Sequence, residues 1–466
     1  MVNKTEWKNS IAVLPFANIS ADKDQEYFCD GMTEEIITKL TTINDLKVIS
    51  RTSVMRFKNS KKSIKEIGRQ LAVENVLEGS VRKDKNRVRI TAQLIRVADD
   101  AHLWAKNYDR KLEDIFALQD KVAKAIANSL EVTLSPGVLD QFKLGETKNM
   151  QAYEYYLKGM FLMNSRYLNT LAEEDFRQAV KMLEKALELD PTYVKCYTGL
   201  VWTYTSHLMY TGSKGDLNEV LKLSKKLEEI APDSIRGHVV LGIYYALKND
   251  FDRSFARIKS AWKISANDAE LSYVIAFFYY RAGLYRKAIK FSDRSIDLDP
   301  LMSHSYMTPI LSSTYLKEYS RAEAYIKKAA ELRKDHPFIL LSKGMVYLRT
   351  GKYERVEKIL VKLREVNHNP ENVSSLQAVL YALRGKRNKV LELNHTSSGA
   401  FAILGLKDRA IAIIEKSLEP NKDFNKYLYL INQPFYDNLR DDPRFQKIVA
   451  DARKIYEERL KKYGDL

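Results

Sequence analysis

Residues 269–300 read AELSYVIAFFYYRAGLYRKAIKFSDRSIDLDP. Within them Ala276, Tyr279, Gly283, Ala288 and Pro300 set a small residue, an aromatic, a turn glycine, a second small residue and a proline in order. There is a physical reason for each. Small residues let two helices approach, the aromatic fills the gap between neighbouring pairs, glycine supplies the positive φ that ends a helix, and proline cannot continue one. The stretch therefore predicts helix, turn, helix. Working outward, the first small position recurs at a constant spacing through Gly242, Ala276, Ile310, Gly344 and Ala378, with Ile310 the weak member. The unit around Gly344 repeats the landmarks with Tyr347, Gly351 and Pro370, and the unit around Ala378 with Tyr381 and Gly385.

That spacing is a period of 34, the tetratricopeptide length, and one such unit cannot bury its apolar face alone, so the units stack into a solenoid. Upstream the intervals from Gly159 to Gly199 and from Gly199 to Gly242 are longer than one period, which places insertions near Ser165–Ala172 and His207–Asp216. The segment LEKALELDP, ending at Pro191, still reads as a second helix of a pair. Ala400 to Leu418 reads as a further pair. Asp442 and Pro443 then start an amphipathic helix bearing Phe445, Ile448, Val449, Ile455 and Tyr456, expected to cover the stacking face of the last repeat.

Before residue 143 the periodicity changes. IAVLPF (11–16) and LKVIS (46–50) are apolar runs suited to buried strands, and residues 26–43 have helical spacing. Ser63 and Glu66 are spaced as a capping box for a helix to Leu71. NVLEGSVR and RVRITAQLIRV form a hairpin through residues 83–86, the second strand alternating Val88, Ile90, Ala92 and Leu94 with polar residues. A strand near 102–108 precedes a helix from about 112 to 132. The order is βαβαβββα, so the fold class is a small α/β domain followed by an all-α repeat solenoid. The expected division is a flexible start (1–9), the α/β domain (10–134), a linker (135–148) marked by Ser135, Pro136 and Gly137, a solenoid of about seven to eight helix pairs (149–440) and a capping helix (441–466).

The segments IAVLPF, YFCDGMTEEIITKL, LKVISRTSV, VLEGSVRK, VRITAQLIRVADDAHLWAKNYDR and DIFALQDKVAKAIA resemble the TolB-like amino-terminal domain that precedes tetratricopeptide repeats in bacterial signalling proteins. The likeness covers residues 10–132, and FYDNLRDDPRF (435–445) resembles the end of those proteins. The resemblance implies an output module upstream: a class III adenylate or guanylate cyclase, a winged-helix DNA-binding domain or a protein kinase, often across a transmembrane helix. It implies a periplasmic location if such a helix precedes Met1, and a cytoplasmic one otherwise. The full-length protein would then be membrane-tethered. No apolar run here approaches the roughly 20 residues of a membrane span.

Composition, 45% hydrophobic and 29% charged, is ordinary for a folded soluble chain. Cys29 and Cys196 fall in different domains, no pattern supports a disulfide between them, and they read as two small buried or half-buried thiols. The net charge of +16 is spread along the chain: the stretch from Met1 to Lys143 holds 24 basic against 20 acidic side chains. The densest groups are Lys58, Lys61, Lys62 and Lys65 in one loop and the basic patch Arg82, Lys83, Lys85, Arg87 and Arg89 on the hairpin. Such a patch suits a phosphate backbone, yet no stacking aromatics accompany it, so nucleic acid is the disfavoured partner.

Catalytic constellations are absent from the sequence: no phosphate-binding GxxxxGK[ST] loop, HExxH, CxxC pair, GxSxG elbow or GxGxxG. The seven histidines are too scattered to converge on a metal, and Asp30, Glu34 and Glu35 read as complementing a helix dipole. The expectation is a chain with no enzyme activity, no metal and no cofactor, any cyclase or kinase activity lying in an upstream domain. Binding is expected in the concave groove of the inner helices, at Tyr204, Tyr273, Phe277, Tyr280, Arg281, Met307, Met345 and Arg349, flanked by Cys196, Leu200, Val239, Ile243, Leu311 and Leu341. A protein or peptide with a hydrophobic or proline-rich segment is the expected ligand; the competing readings are that these aromatics simply pack between adjacent inner helices, or that the chain's own amino-terminal domain occupies the groove. The functional expectation is a sensory or scaffold module, with the regulatory half of a nucleotide cyclase and a nucleic-acid binder as alternatives. Oligomeric state leaves no trace in the sequence.

Overall fold

The computed structural model describes residues 9–464 and 466, except 144, 212, 233, 335, 366–369, 394–396 and 418–426. Residues 1–8, expected as a flexible start, and Leu418, the expected end of a pair, lie outside the described residues.

The amino-terminal domain is built on one sheet in the order β3-β1-β4-β5-β6, with β1 Ser10–Val13, β2 Ala17–Asn18, β3 Lys47–Val48, β4 Asn75–Asp84, β5 Arg87–Arg96 and β6 His102–Lys111. β1 runs parallel to β3 and β4, while β4, β5 and β6 form an antiparallel meander. The expected strand 11–16 is interrupted: Pro15 has no N–H to give, the Phe16 N–H goes to Thr33 Oγ1 (3.0 Å), and pairing resumes at β2. Helices α1 Glu26–Thr41, α2 Arg51–Val54, α3 Ile64–Leu71 and α4 Ile115–Ser129 pack on this sheet and on one another. The Ser63 and Glu66 capping box forms as expected at the start of α3. The segment expected as a linker folds into α5 Pro136–Lys143, which buries Phe142 and offers its carbonyl to Lys39 Nζ at 2.6 Å.

Eight helix pairs follow among the described residues. They are α6 Met150–Phe161 (extended by a π-helical stretch Leu162–Tyr167 and the turn α7 Leu168–Thr170) with α8 Glu173–Leu189; α9 Val194–Thr211 with α10 Lys214–Ile230; α11 Ile235–Leu247 with α12 Phe251–Ile264; and α13 Ala269–Arg281 with α14 Tyr285–Leu298. Then come α15 Met307–Tyr315 with α16 Tyr319–Leu332, α17 Pro337–Arg349 with α18 Tyr353–Glu365, α19 Pro370–Leu383 with α20 Arg387–Glu392, and α21 Ser398–Ile403 with α22 Lys407–Ser417. The repeat landmarks sit mid-way along the inner helices. A Cβ on Gly242 would lie 2.9 Å from Ile258, and one on Gly344 2.6 Å from Leu376, so these contacts require the missing side chain. The turn within five successive pairs, from α11 with α12 to α19 with α20, recurs in the left-handed region at Asn249, Gly283, Lys317, Gly351 and Gly385, each one repeat period after the last.

Both insertions lengthen helices rather than loops, and they touch. His207 Nδ1 lies 2.6 Å from Asp216, its Nε2 lies 3.0 Å from Glu173, and its ring stacks on Phe176 at 3.9 Å.

After α23 Tyr427–Asn432, α24 Pro443–Tyr463 does more than cap the array. Phe445 is buried against the last pairs, yet the helix runs back so that Tyr463 packs between Phe255 and Phe278 and its carbonyl accepts the Tyr279 hydroxyl at 3.0 Å. The expected cap is therefore a strap, and Ile455, assigned to its apolar face, is exposed. Among the described residues no helix is long and apolar enough to cross a membrane.

Candidate functional site

The amino-terminal domain lies along the rim of the solenoid where the inner helices begin. Contacts advance together along both partners: Glu35 with Lys195 (2.5 Å), Thr38 Oγ1 accepting from Arg236 (2.7 Å), the Thr41 carbonyl accepting from Ser265 (2.8 Å), the Asn44 carbonyl with Asn267, and the Leu332 carbonyl accepting from Arg56 (3.2 Å). Between the last two lies a buried carboxylate. Asp299 accepts from the Ser50 N–H (3.0 Å), the Ser50 hydroxyl (2.5 Å) and the Ser53 hydroxyl (2.6 Å), satisfying the donors at the start of α2. It is fully buried and makes no ion pair among the described residues, so burial raises its pKa while the serine donors pull the other way. Ser265 and Asp299 are one repeat period apart, so the docking surface is a repeated feature of the loops between pairs.

Under this rim is a cleft of about 250 Å³ between α1, α2 and the inner helices α9, α11 and α13. Its apolar wall includes Ile37, Val48, Trp202, Val239, Ile243 and Tyr273. Its polar groups come in register: Arg236, Glu270 and His304 stand two positions after the helix caps Ser234, Asp268 and Met302. Glu34 and Arg51 face them as an ion pair at 3.3 Å. Glu270 is exposed at the mouth of the cleft, and its partial desolvation by the cleft walls, then the charge of Asp268, raises its pKa above the usual carboxylate value. His304 sits edge-on to Tyr273 at 4.7 Å, and burial followed by Arg333 lowers its pKa to about 4, so it is neutral near pH 7.

A second groove, about 360 Å³, lies towards the carboxy-terminal end, lined by Leu311, Tyr315, Leu341, Met345 and Arg349 from inner helices and closed by Tyr429 and Phe435. Arg349 stacks over Phe435 at 5.2 Å and donates to the Met345 carbonyl.

The residues expected to share one groove are thus divided. Tyr273 enters the cleft and Met345 and Arg349 the distal groove, while Met307 and Phe277 are half-buried on the same helix faces. Tyr280 instead stacks with Tyr315 (6.2 Å), and Arg281 donates to Asn249 (2.9 Å) in the preceding turn. Tyr204 packs edge-on to Phe176, and Cys196 is buried with its thiol on the Leu183 carbonyl. On α9 the cleft side chains include Thr198, Trp202 and Thr205, and Gly199 between them faces Met160, where an added Cβ would lie 2.8 Å from its sulfur. Arg236, Glu270 and Trp202 are site residues that the sequence reading does not reach, although the repeat register relating the first two is visible in the sequence.

The basic patch is partly neutralised: Arg87 and Arg89 share Asp109, and Lys83 pairs with Glu154 of α6. Asp30 pairs with Lys58 (2.6 Å) and Glu34 with Arg51. Buried Lys39 reaches Asp120 (2.8 Å) and Glu146 (2.6 Å); burial opposes its charge, but these carboxylates hold its pKa above the usual lysine value.

A family profile described as the HilA/YgeH-like transcriptional regulator, second domain, matches residues 7–125, and a tetratricopeptide repeat profile matches 171–193. The chain therefore carries tetratricopeptide repeats behind a HilA-like domain, which occupies the segment that resembles a TolB-like one. "Putative adenylate cyclase 3" of Rhizobium meliloti (strain 1021) is 37% identical over 239 residues, covering 51% of this chain and 40% of that protein. "Transcriptional regulator HilA" of Salmonella typhimurium (strain LT2) is 22% identical over 335 residues, covering 69% of this chain and 57% of that protein. The chain thus spans about two to three fifths of the length of these relatives. Among solved structures, Cut9 with Hcn1 of the APC/C aligns at TM-score 0.39 and 14% identity over 76% of each chain, and the pilus biogenesis factor PilW at 0.36 and 16% over 47% of this chain and 94% of that one.

Proposed function

We propose that this chain is a non-catalytic regulatory and protein-binding module of a bacterial signalling protein, and that the docking of its HilA-like domain on the repeats is the state an output module reads. The observation that carries this reading is the run of polar contacts from Glu35–Lys195 to Arg56–Leu332 along one rim. Each such contact adds only about 1 kcal/mol, so the far part of the rim, beyond the core that the domain shares with the first pairs, can loosen and re-dock at a cost a partner can offset. The relatives support it from another side. One is named for a cyclase and the other for a transcriptional regulator, and each extends well beyond the stretch it shares with this chain. A shared stretch beside two differently named outputs fits regulation better than chemistry.

The regulatory half of an adenylate or guanylate cyclase is the more specific form, favoured by the 37% identity. A partner segment with apolar side chains would use the distal groove at Met345 and Arg349, where Tyr315 and Phe435 offer rigid apolar area. Nucleic-acid binding through the hairpin is less well supported, since Asp109 already neutralises Arg87 and Arg89.

The test exchanges this chain for the matching stretch of the cyclase-named relative and measures cyclic AMP formation. Asp299→Ala, which frees the rim, should change the yield by about fivefold or more. Equal yields from the wild-type chimera, the variant and a chimera lacking the stretch would remove the regulatory reading.

A further inference from the structure

The cleft under the rim holds two opposite charges that the protein does not use up. The Glu270 carboxylate makes no contact ion pair or side-chain hydrogen bond among the described residues. Arg236 gives one N–H to Thr38 and is otherwise only near carboxylates, without a contact pair among the described residues. The other charges are committed: Glu34 to Arg51, Glu35 to Lys195, Lys39 to Asp120 and Glu146, while Asp268 caps α13 through the N–H groups of Glu270 and Leu271. Around the two uncommitted charges the wall is apolar, with Ile37, Val239, Ile243 and the partly exposed Trp202.

From this arrangement we infer that the cleft binds a small zwitterion of the α-amino-acid class with an apolar side chain, its carboxylate on Arg236, its ammonium on Glu270 and its side chain against Trp202 and Ile243. Arg236 and Glu270 stand exposed at the mouth of the cleft, so a ligand seated there covers both, and one with a single charge would leave the other protein charge covered without a partner. A zwitterion adds no net charge and satisfies both. The volume of about 250 Å³ is at the small end for ligand sites, so the ligand is a single residue rather than a peptide. This inference stands apart from the regulatory reading, because binding is measured on the chain alone with no output module present.

Isothermal titration of the purified chain with L-leucine, L-methionine and L-phenylalanine should show binding of at least one. N-acetyl-L-leucine lacks the ammonium and L-leucinamide the carboxylate, and each should bind about tenfold or more weakly than the free amino acid. Glu270→Gln should abolish the preference for leucine over its N-acetyl form, and Arg236→Gln the preference over its amide, with thermal unfolding showing both variants folded. Affinity should rise with pH as Glu270 ionises among Asp268, Arg236, Glu34, Arg51, Asp299 and His304, and Glu270→Gln should remove that rise. No binding by any of the three amino acids, or variants that weaken free and blocked forms equally, would overturn the inference.

Discussion

At its first pairs the array shares one core with the sheet domain, continuous from Ile11 to Tyr245, whereas its last pairs close on a separate core from Leu340 to Ala452 built with the chain's own tail. A stack of repeats has two end faces, each of which would expose apolar surface. Here one is covered by a folded domain, with α1 packed on α6, and the other by the segment after α22. The difference teaches where cooperativity should reside. The sheet domain and the first pairs should unfold together, and the distal pairs separately.

The largest effects test that division. Leu183, fully buried between Gly159 and Gly199, belongs to the shared core, and Phe445 to the distal one. Leu183→Ala should cost about 2–5 kcal/mol and Phe445→Ala about 3–5 kcal/mol. In urea followed by circular dichroism and hydrogen exchange, the first should lower the midpoint for strand β4 and helix α8 together, and the second only that for helices α18, α21 and the start of α24. A single transition lowered equally by both would show one cooperative unit and break the comparison.

Asp299→Ala attacks the rim rather than the core. It leaves the Ser50 N–H and two serine hydroxyls without their acceptor in a buried place, at a cost of about 2–3 kcal/mol. Faster exchange at residues 50–57, with α24 unchanged, is the expected result. The pH dependence has a definite sign. The docked pKa of Asp299 is raised, so its protonated form is favoured in the docked state; its own contribution to docking is most favourable below the free value near 3.8 and weakens as pH rises through the raised one. Asp299→Asn should remove that slope.

The strap offers a smaller test at the opposite rim. Arg459 lies 4.2 Å over Phe251 and donates to the Ala282 carbonyl, so Arg459→Ala should cost about 1 kcal/mol. Its signature is faster exchange near Tyr463 with none at Phe445.

Much of this architecture is legible in the sequence because it is written locally. The capping box at Ser63, the alternation along β5 and the periodic spacing of Gly242 and Gly344 each depend on residues close in the chain or on a repeat. The docking is different in kind. Ser50 and Asp299 are polar residues 249 apart, and nothing periodic links them. The strap reads as a cap because an amphipathic helix reveals that it has an apolar face, not what the face will meet. On α9 one landmark misleads: counting from Gly199 points to Cys196, Leu200 and Tyr204, and the cleft side chains are Thr198, Trp202 and Thr205.

The smallest effect concerns the turns, where the regular middle of the array is itself uneven. Gly283, Gly351 and Gly385 occupy the left-handed turn position with glycine, but Lys317 holds φ 61° there with a side chain. Left-handed backbone costs a non-glycine residue roughly 1–2 kcal/mol, while glycine gives back about 0.5–1 kcal/mol through the freedom of the unfolded chain. Lys317→Gly should therefore stabilise by about 0.5 kcal/mol, and Gly351→Lys, where a Cβ would meet nothing, should destabilise by a similar amount for backbone reasons alone. Chemical denaturation of the pair separates turn strain from packing. If Gly351→Lys proved far costlier than Lys317→Gly is helpful, the two turns would not be equivalent, and the array would be less regular than its repeat period implies.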